Sequence, residues 1–335
     1  MTKERNSIYG LALGDAIAYR TEFSTFSQAV SKYGQEEPRD ENQKLLVSDD
    51  TQMSLYLLNA FKQSYSPDSD FEPQYLSIIN EVAQQFITWL WDPLNDRAPG
   101  NACIRSLSNL KRVLTGPADL NTVLSAGLAD SKGSGTVMRS PWLGLLHANN
   151  IIPDEHFEMF CNAQSAITHQ HPTALHGSYL TALLTSRLYT EDIKPGELKD
   201  FALNHISQQK PDSGWDELKA SISLIDSLPE GYNYSKATDI DPSRYLGQNG
   251  TAEDVLTTAI ALVDNFGEEP LEVLKRCIFT SGDSDTIGAV AGGMVGAHYS
   301  GEIWSEIEHL VEEHYVQQLE DAAAYIDYTS LHRNS

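Results

Sequence analysis

The sequence predicts an all-α protein, a compact orthogonal multi-helix bundle larger than a four-helix unit. Three observations lead there. Apolar residues recur at helical spacing along most of the 335 residues. Strand-like alternation is scarce, and Val, Ile and Thr do not cluster between turns as a sheet requires. The segments between the periodic runs are rich in Pro, Gly and Asp.

In chain order, the periodicity predicts helices over 7–19, 52–63, 74–91, 101–114 and 120–129. The central region adds 155–168, 173–189, 197–207 and 214–226. The last third adds 252–265, 270–278, 286–299 and 302–326. The second helix opens on SDDT, residues 48–51, followed by Met53, Leu57, Ala60 and Phe61 at helical spacing. Ser, Thr and Asp suit an N-cap, and acidic residues suit the positive end of a helix dipole. Loops are expected at 31–47, 64–73, 92–100, 130–141, 190–196, 208–213 and 228–250. The irregular stretch 227–250 is the longest, and long loops in compact domains often serve an active site. No repeat, low-complexity tract or boundary interrupts the chain, so 1–335 reads as a single domain.

Composition narrows the function. The chain is 41% apolar and 21% charged, with 47 acidic and 23 basic residues giving a net charge of −24. Such a surface repels phosphate backbones and argues against a nucleic-acid partner. The three cysteines, Cys103, Cys161 and Cys277, are far apart and suggest neither a disulfide framework nor a thiolate zinc site. The N-terminal apolar run is short, glycine-bearing and followed by Asp15, unlike a signal peptide, and no stretch approaches membrane-spanning length. A cytoplasmic location with no membrane partner is expected.

Two predicted helices carry small residues at spacing four: Gly10 and Gly14 near the start, and Gly288, Gly292 and Gly296 near the end. Glycine within a helix costs up to about 1 kcal/mol against alanine, so close helix–helix approach is the expected compensation. That approach would bring together the loops at the ends of these helices. The second helix of the pair is preceded by SGDSDT, residues 281–286, which repeats the grammar of SDDT: a hydroxyl, two carboxylates, then an apolar helix. Each cluster alone fits an N-cap. Brought together, four carboxylates repel unless neutralised, and a pair of divalent cations does that. Oxygen-only ligation selects hard ions such as Mg²⁺, Mn²⁺ or Ca²⁺. His169, His171 and His176 in THQHPTALHG offer a softer alternative, although a His-Pro junction at a helix start reads more readily as structural.

Taken together, GLALGDAIAYRTEF, SDDTQM, GSGTVMRSPWLGLL and SGDSDTIGAVAGGMVGA resemble the ADP-ribosylglycohydrolases, the family of the dinitrogenase reductase-activating glycohydrolase. RAPGNACIRSL, ITHQHPTALHGSYLTALL and LGQNGTAEDVLTTAIALV support the resemblance, which runs in the family's order over residues 7–300. It implies an all-α fold around a central dinuclear metal cleft holding two Mg²⁺ (or Mn²⁺) ions. By position, the implied ligands are Ser48, Asp49 and Asp50 from the first motif and Asp283, Asp285 and Thr286 from the second. Glu22 is the implied catalytic carboxylate, with Asp15 in a supporting role.

The resemblance further implies hydrolysis at C1″ of an ADP-ribose attached to a protein side chain. The reaction passes through an oxocarbenium-like state in which a carboxyl group manages protons. For the diphosphate, the glycine-rich turn Gly133, Ser134, Gly135, Thr136, Val137 and Met138 can present backbone N–H groups. Gly100 and Asn101 precede a helix start, where an anion is also welcome. His169 and His171 are candidate ribose or phosphate contacts, Tyr19 and Tyr245 candidate adenine contacts, and Arg139 either fixes a loop or touches phosphate. The chain departs from the family at Ala16-Ile17-Ala18, at Gly250 where relatives carry Trp, and at Ala98 where arginine-specific relatives carry Asp.

The implied partners are ADP-ribose and an ADP-ribosylated protein, with arginine the expected acceptor and serine or O-acetyl-ADP-ribose the alternatives. A cognate ADP-ribosyltransferase or toxin is a further partner under this reading. Two other classes stay open at the level of sequence. One is a non-catalytic protein that binds ADP-ribose or a toxin; the other is a dinuclear hydrolase of a different phosphoester.

Overall fold

The computed structural model describes residues 1–34, 38–40, 42–113, 119–247 and 250–333. The remaining positions, 35–37, 41, 114–118, 248–249 and 334–335, lie outside the described residues; they touch the predicted segments 31–47, 101–114 and 227–250. The first elements are α1 (Lys3–Ala18), α2 (Phe26–Tyr33), α3 (Asp49–Ser64) and α4 (Phe71–Trp89). They are followed by α5 (Asn101–Val113), α6 (Leu120–Leu124) and α7 (Pro141–Ala148). The middle of the chain supplies α8 (Asp154–Ala166), α9 (Pro172–Thr190), α10 (Leu198–Ser207) and α11 (Ser213–Ser223). The series closes with α12 (Ser243–Leu246), α13 (Ala252–Phe266), α14 (Pro270–Cys277), α15 (Ser284–His298) and α16 (Glu313–Arg333). Among the described residues, extended pairing is limited to three isolated bridges, Leu45 with Val311, Leu128 with His169 and Gly133 with Thr251. The all-α expectation holds.

The two glycine-bearing helices form the centre. Every residue of α15 except His298 is buried, as is all of α1 beyond Lys3 and Arg5. Helices buried all round need no amphipathic stripe, and neither has one. They run antiparallel, with Gly10 against the carbonyl of Gly292, Gly14 against that of Gly288, and Gly296 against that of Asn6. A Cβ at any of these glycines would fall within 2.4 Å of a backbone oxygen, so the small-residue spacing serves backbone contact. Ser7 Oγ adds a bond to the Gly293 carbonyl at 2.6 Å.

Three predicted elements differ. Residues 302–312 are turns rather than the start of a helix, which begins only at Glu313. The buried Trp304 donates its indole N–H to the Asn6 carbonyl at 2.7 Å, and Leu45 bridges Val311, so this segment is bent back onto α1. Within 120–129 the helix stops at Leu124, because Leu128 leaves to pair with His169. Helices α2 and α7 stand where no helix was predicted, overlapping the expected loops 31–47 and 130–141 only at one end each. Pro141–Leu146 is wholly buried and so lacks a polar face to mark its period.

Candidate active site and metal centre

The antiparallel pair sets the C-terminal end of α1 beside the N-terminus of α15. Ser284 Oγ donates to the Ala18 carbonyl at 3.0 Å and meets Thr21 Oγ1 at 3.1 Å, which pins the junction. Asp15 then captures α3. Its carboxylate accepts the Ser48 N–H at 2.9 Å, the Thr51 N–H at 3.1 Å and the Thr51 hydroxyl at 2.5 Å. Ser48 is the N-cap of α3, accepting from Asp50 N at 3.3 Å and donating to Asp50 Oδ2 at 3.0 Å. The sequence-predicted clusters therefore meet. Carboxylate oxygens of Asp15, Asp50 and Asp285 lie within 4.8 Å of one another, and so do those of Glu22, Asp283 and Asp285.

The chemistry of this donor set fits divalent cations. Asp49, Asp50 and Asp285 are buried, and their pKa values are pushed well above the usual carboxylate range, burial being the largest cause and neighbouring carboxylates adding to it. Glu22 is raised to about 8 by burial and by Asp283, Asp49 and Asp15. Asp15 is raised to about 6 by burial, against the pull of its four hydrogen bonds. The charges acting most strongly on Glu22, Asp50 and Asp285 are all negative. Asp50 Oδ1 is buried with no hydrogen-bond partner, a lone acceptor facing an acidic cluster. An unsatisfied buried carboxylate oxygen is costly unless a cation or water meets it. Hard oxygen donors of this kind suit Mg²⁺ or Mn²⁺.

A cleft of about 260 Å³ opens onto these residues. Gly100, Asn101, Gly133, Ser134, Gly135, Met138 and His169, all named above as candidate substrate contacts, line it. The Gly100 N–H is spent on Asp49 Oδ2 at 3.2 Å, and the Ser134 hydroxyl donates to Asp283 Oδ2. Both therefore orient carboxylates. His169 is buried and held neutral, its pKa driven down to about 3 by burial and by Arg139. The backbone at Gly135 runs so close that a Cβ there would be 2.9 Å from His169 Cε1.

Other predicted residues are placed away from the cleft. Thr136 is fully buried and donates to the Ala174 carbonyl at 2.9 Å, and Val137 is in the core. His171 is the N-cap of α9, its Nδ1 accepting from Thr173 N at 3.3 Å. Arg139 is fully buried and fixes the loop, donating to the Gly135 carbonyl at 2.6 Å, Gln164 Oε1 at 2.7 Å and Thr168 Oγ1 at 2.9 Å. Tyr19, on the turn that follows α1, and Tyr245, on α12, are not among the cleft-lining residues. Of the long stretch 227–250, Gly250 reaches the cleft; 248–249 lie outside the described residues.

Phe23, Ala102, Cys103 and Ser131 also line the cleft and were not anticipated; Ala98, the position where arginine-specific relatives carry Asp, lines it too. Phe23 and Ala98 have positive φ, 55° and 51°, a conformation rare for side chains larger than glycine. Residue type gave no sign of either.

The ADP-ribosylglycohydrolase family profile matches residues 2–333. The chain belongs to this family. It is 25% identical over 330 residues to the ADP-ribosylhydrolase ARH3 of Xenopus tropicalis, covering 90% of this chain and 88% of that one. A solved structure described as an ADP-ribosylglycohydrolase-related protein complex has the same fold, with a TM-score of 0.64, 18% identity and 98% of each chain covered. Among the described residues no helix is long and apolar enough to cross a membrane.

Proposed function

We propose that this chain hydrolyses the C1″ glycosidic bond joining ADP-ribose to a modified protein side chain, with arginine the first acceptor to test. The observation that carries the reading is Glu22: it lines the cleft with Asp49, Asp50 and Asp283, and its carboxylate lies within 4.8 Å of those of Asp283 and Asp285. Glycoside hydrolysis needs a carboxyl group that can give a proton to the leaving atom or take one from the attacking water. Surrounded by Asp283, Asp49 and Asp15, Glu22 keeps its proton at neutral pH when no cation is present. Two divalent cations, held by Ser48, Asp49, Asp50, Asp283, Asp285 and Thr286, would supply the positive charge that offsets these carboxylates and fixes the ribose hydroxyls.

The other residues position the substrate. Asp49 is aimed by the Gly100 N–H and Asp283 by the Ser134 hydroxyl. The N–H groups of Val137 and Met138 are spent on the Ser134 carbonyl, at 2.9 and 3.2 Å, which leaves Gly133–Gly135 and Asn101 as the stretch to meet the diphosphate. Neutral His169 underlies that turn without adding charge. The acidic wall of Glu22, Asp49, Asp50 and Asp283 suits a cationic guanidinium as the departing group.

The test is product identification by NMR, with arginine-linked, serine-linked and O-acetyl-ADP-ribose as parallel substrates. Free ADP-ribose with a hydroxyl at C1″ and an unmodified acceptor supports the reading. AMP or ribose phosphate would show cleavage at phosphorus and contradict it.

A further inference from the structure

Phe23 is the most unusual exposed residue of the protein. It is 73% exposed, so hydrophobic burial does not hold it. Its backbone is left-handed, at φ 55°, which for an aromatic residue persists only when neighbours over-determine it. They do. Phe23 N donates to the Gly282 carbonyl at 2.6 Å, Gly282 N donates to the Ser24 carbonyl at 3.4 Å, and Phe26 N donates to Ser281 Oγ at 3.0 Å. The strained segment is thereby tied to the loop carrying Asp283 and Asp285, directly after Glu22.

The ring belongs to two openings at once. Phe23 lines the active cleft, and it also borders a second, shallow groove of about 660 Å³ along α2. Ser24, Ser27, Gln28, Ser31 and Lys32 complete that groove. The chain has a net charge of −24, yet among the described residues lining this groove there is no carboxylate, and Phe23 joins it to the acidic site. Hydroxyl and amide groups beside an exposed aromatic wall match an extended polypeptide, whose backbone offers alternating donors and acceptors. Helix α2 is also set firmly, by a reciprocal capping box between Thr25 and Gln28.

We infer that the groove along α2, with Phe23 as the wall it shares with the active cleft, holds the polypeptide flanking the modified side chain. The ADP-ribose enters the acidic cleft on one side of the ring, and the protein backbone lies on the other. This rests on the glycohydrolase reading above and adds to it a site that distinguishes a protein substrate from a small conjugate.

The experiment compares ADP-ribosyl-arginine with the same residue inside an otherwise unmodified peptide, with the serine-linked pair in parallel, using metal-loaded full-length protein. Two variants are measured: Ser27→Tyr, and Ser27→Tyr/Ser31→Tyr, which fill the groove on the exposed face of α2 in two steps. For both, the ratio of kcat/KM on peptide to that on the single residue should fall about tenfold, through KM on the peptide. An equal fall on both substrates, or an unchanged ratio, overturns the groove while leaving the glycohydrolase reading standing. Wild-type protein that cleaves neither member of either pair overturns both.

Discussion

A Cβ placed on Gly14 would lie 1.9 Å from the carbonyl oxygen of Gly288, and one placed on Gly288 would lie 2.1 Å from that of Gly14. The two backbones are in direct contact one residue before Asp15 and three residues after Asp285. The active site therefore depends on a packing contact between residues that do no chemistry.

Gly14→Ala should consequently damage both stability and the site. Forcing a methyl group against backbone on both sides costs about 3 kcal/mol, since neither helix can give way without moving its neighbours. Thermal unfolding should show a lowered Tm in metal-free protein, and added Mg²⁺ should raise the Tm less than in wild type. A variant as stable as wild type would mean that the helices can separate freely.

Asp15 acts mainly as an anchor for α3. Asp15→Ala leaves the N–H groups of Ser48 and Thr51 and the Thr51 hydroxyl without their acceptor, at a cost of about 2–4 kcal/mol. Asp15→Asn keeps one acceptor oxygen and should cost less. Urea unfolding of the two variants without metal checks the order, and equal stabilities would contradict the anchoring role.

The acidic cluster makes stability depend on pH and metal in a defined direction. Carboxyls raised in the folded state, Asp15 to about 6 and Glu22 to about 8, favour the protonated folded form. Their contribution is fully present below the ordinary carboxylate range and is lost as pH rises through those values. Metal-free protein should therefore lose stability between about pH 5 and 8. Saturating Mg²⁺ or Mn²⁺ binds the ionised form and should remove most of that loss. Tm measured across pH with and without EDTA tests this; a metal-free Tm that rises with pH would refute it.

Much of the site could be read from the sequence because its signals are local. Adjacent carboxylates ahead of an apolar helix and glycines at spacing four both appear within a few residues, and Asp49, Asp50, Asp283 and Asp285 do converge. What a motif does not reveal is which way each member faces. Thr136, Val137 and His171 lie in the right stretches, yet they point into the core or cap a helix. The left-handed backbones of Phe23 and Ala98 arise from tertiary contacts and leave no mark on residue type. Helix α7 went unrecognised because it is buried on every side. Helix α2 did carry a signal, the Thr25–Gln28 capping box, too short to outweigh the loop-like residues around it.

Glu22→Gln should separate chemistry from binding. The substitution keeps the size of the side chain and removes its capacity to exchange a proton. A loss of about 10²–10³-fold in kcat is expected, with KM nearly unchanged. Metal binding, followed by calorimetry, should remain. A variant with full kcat would assign the proton transfer to another group.

The most direct test is release of free ADP-ribose from an arginine-ADP-ribosylated protein in Mg²⁺, in Mn²⁺ and in EDTA, beside an Asp49→Ala/Asp285→Ala double variant. The account predicts release with metal, none in EDTA, and none from the double variant under any condition. Release that persists in EDTA, or in the double variant, would contradict a site in which these carboxylates hold the ions that support hydrolysis.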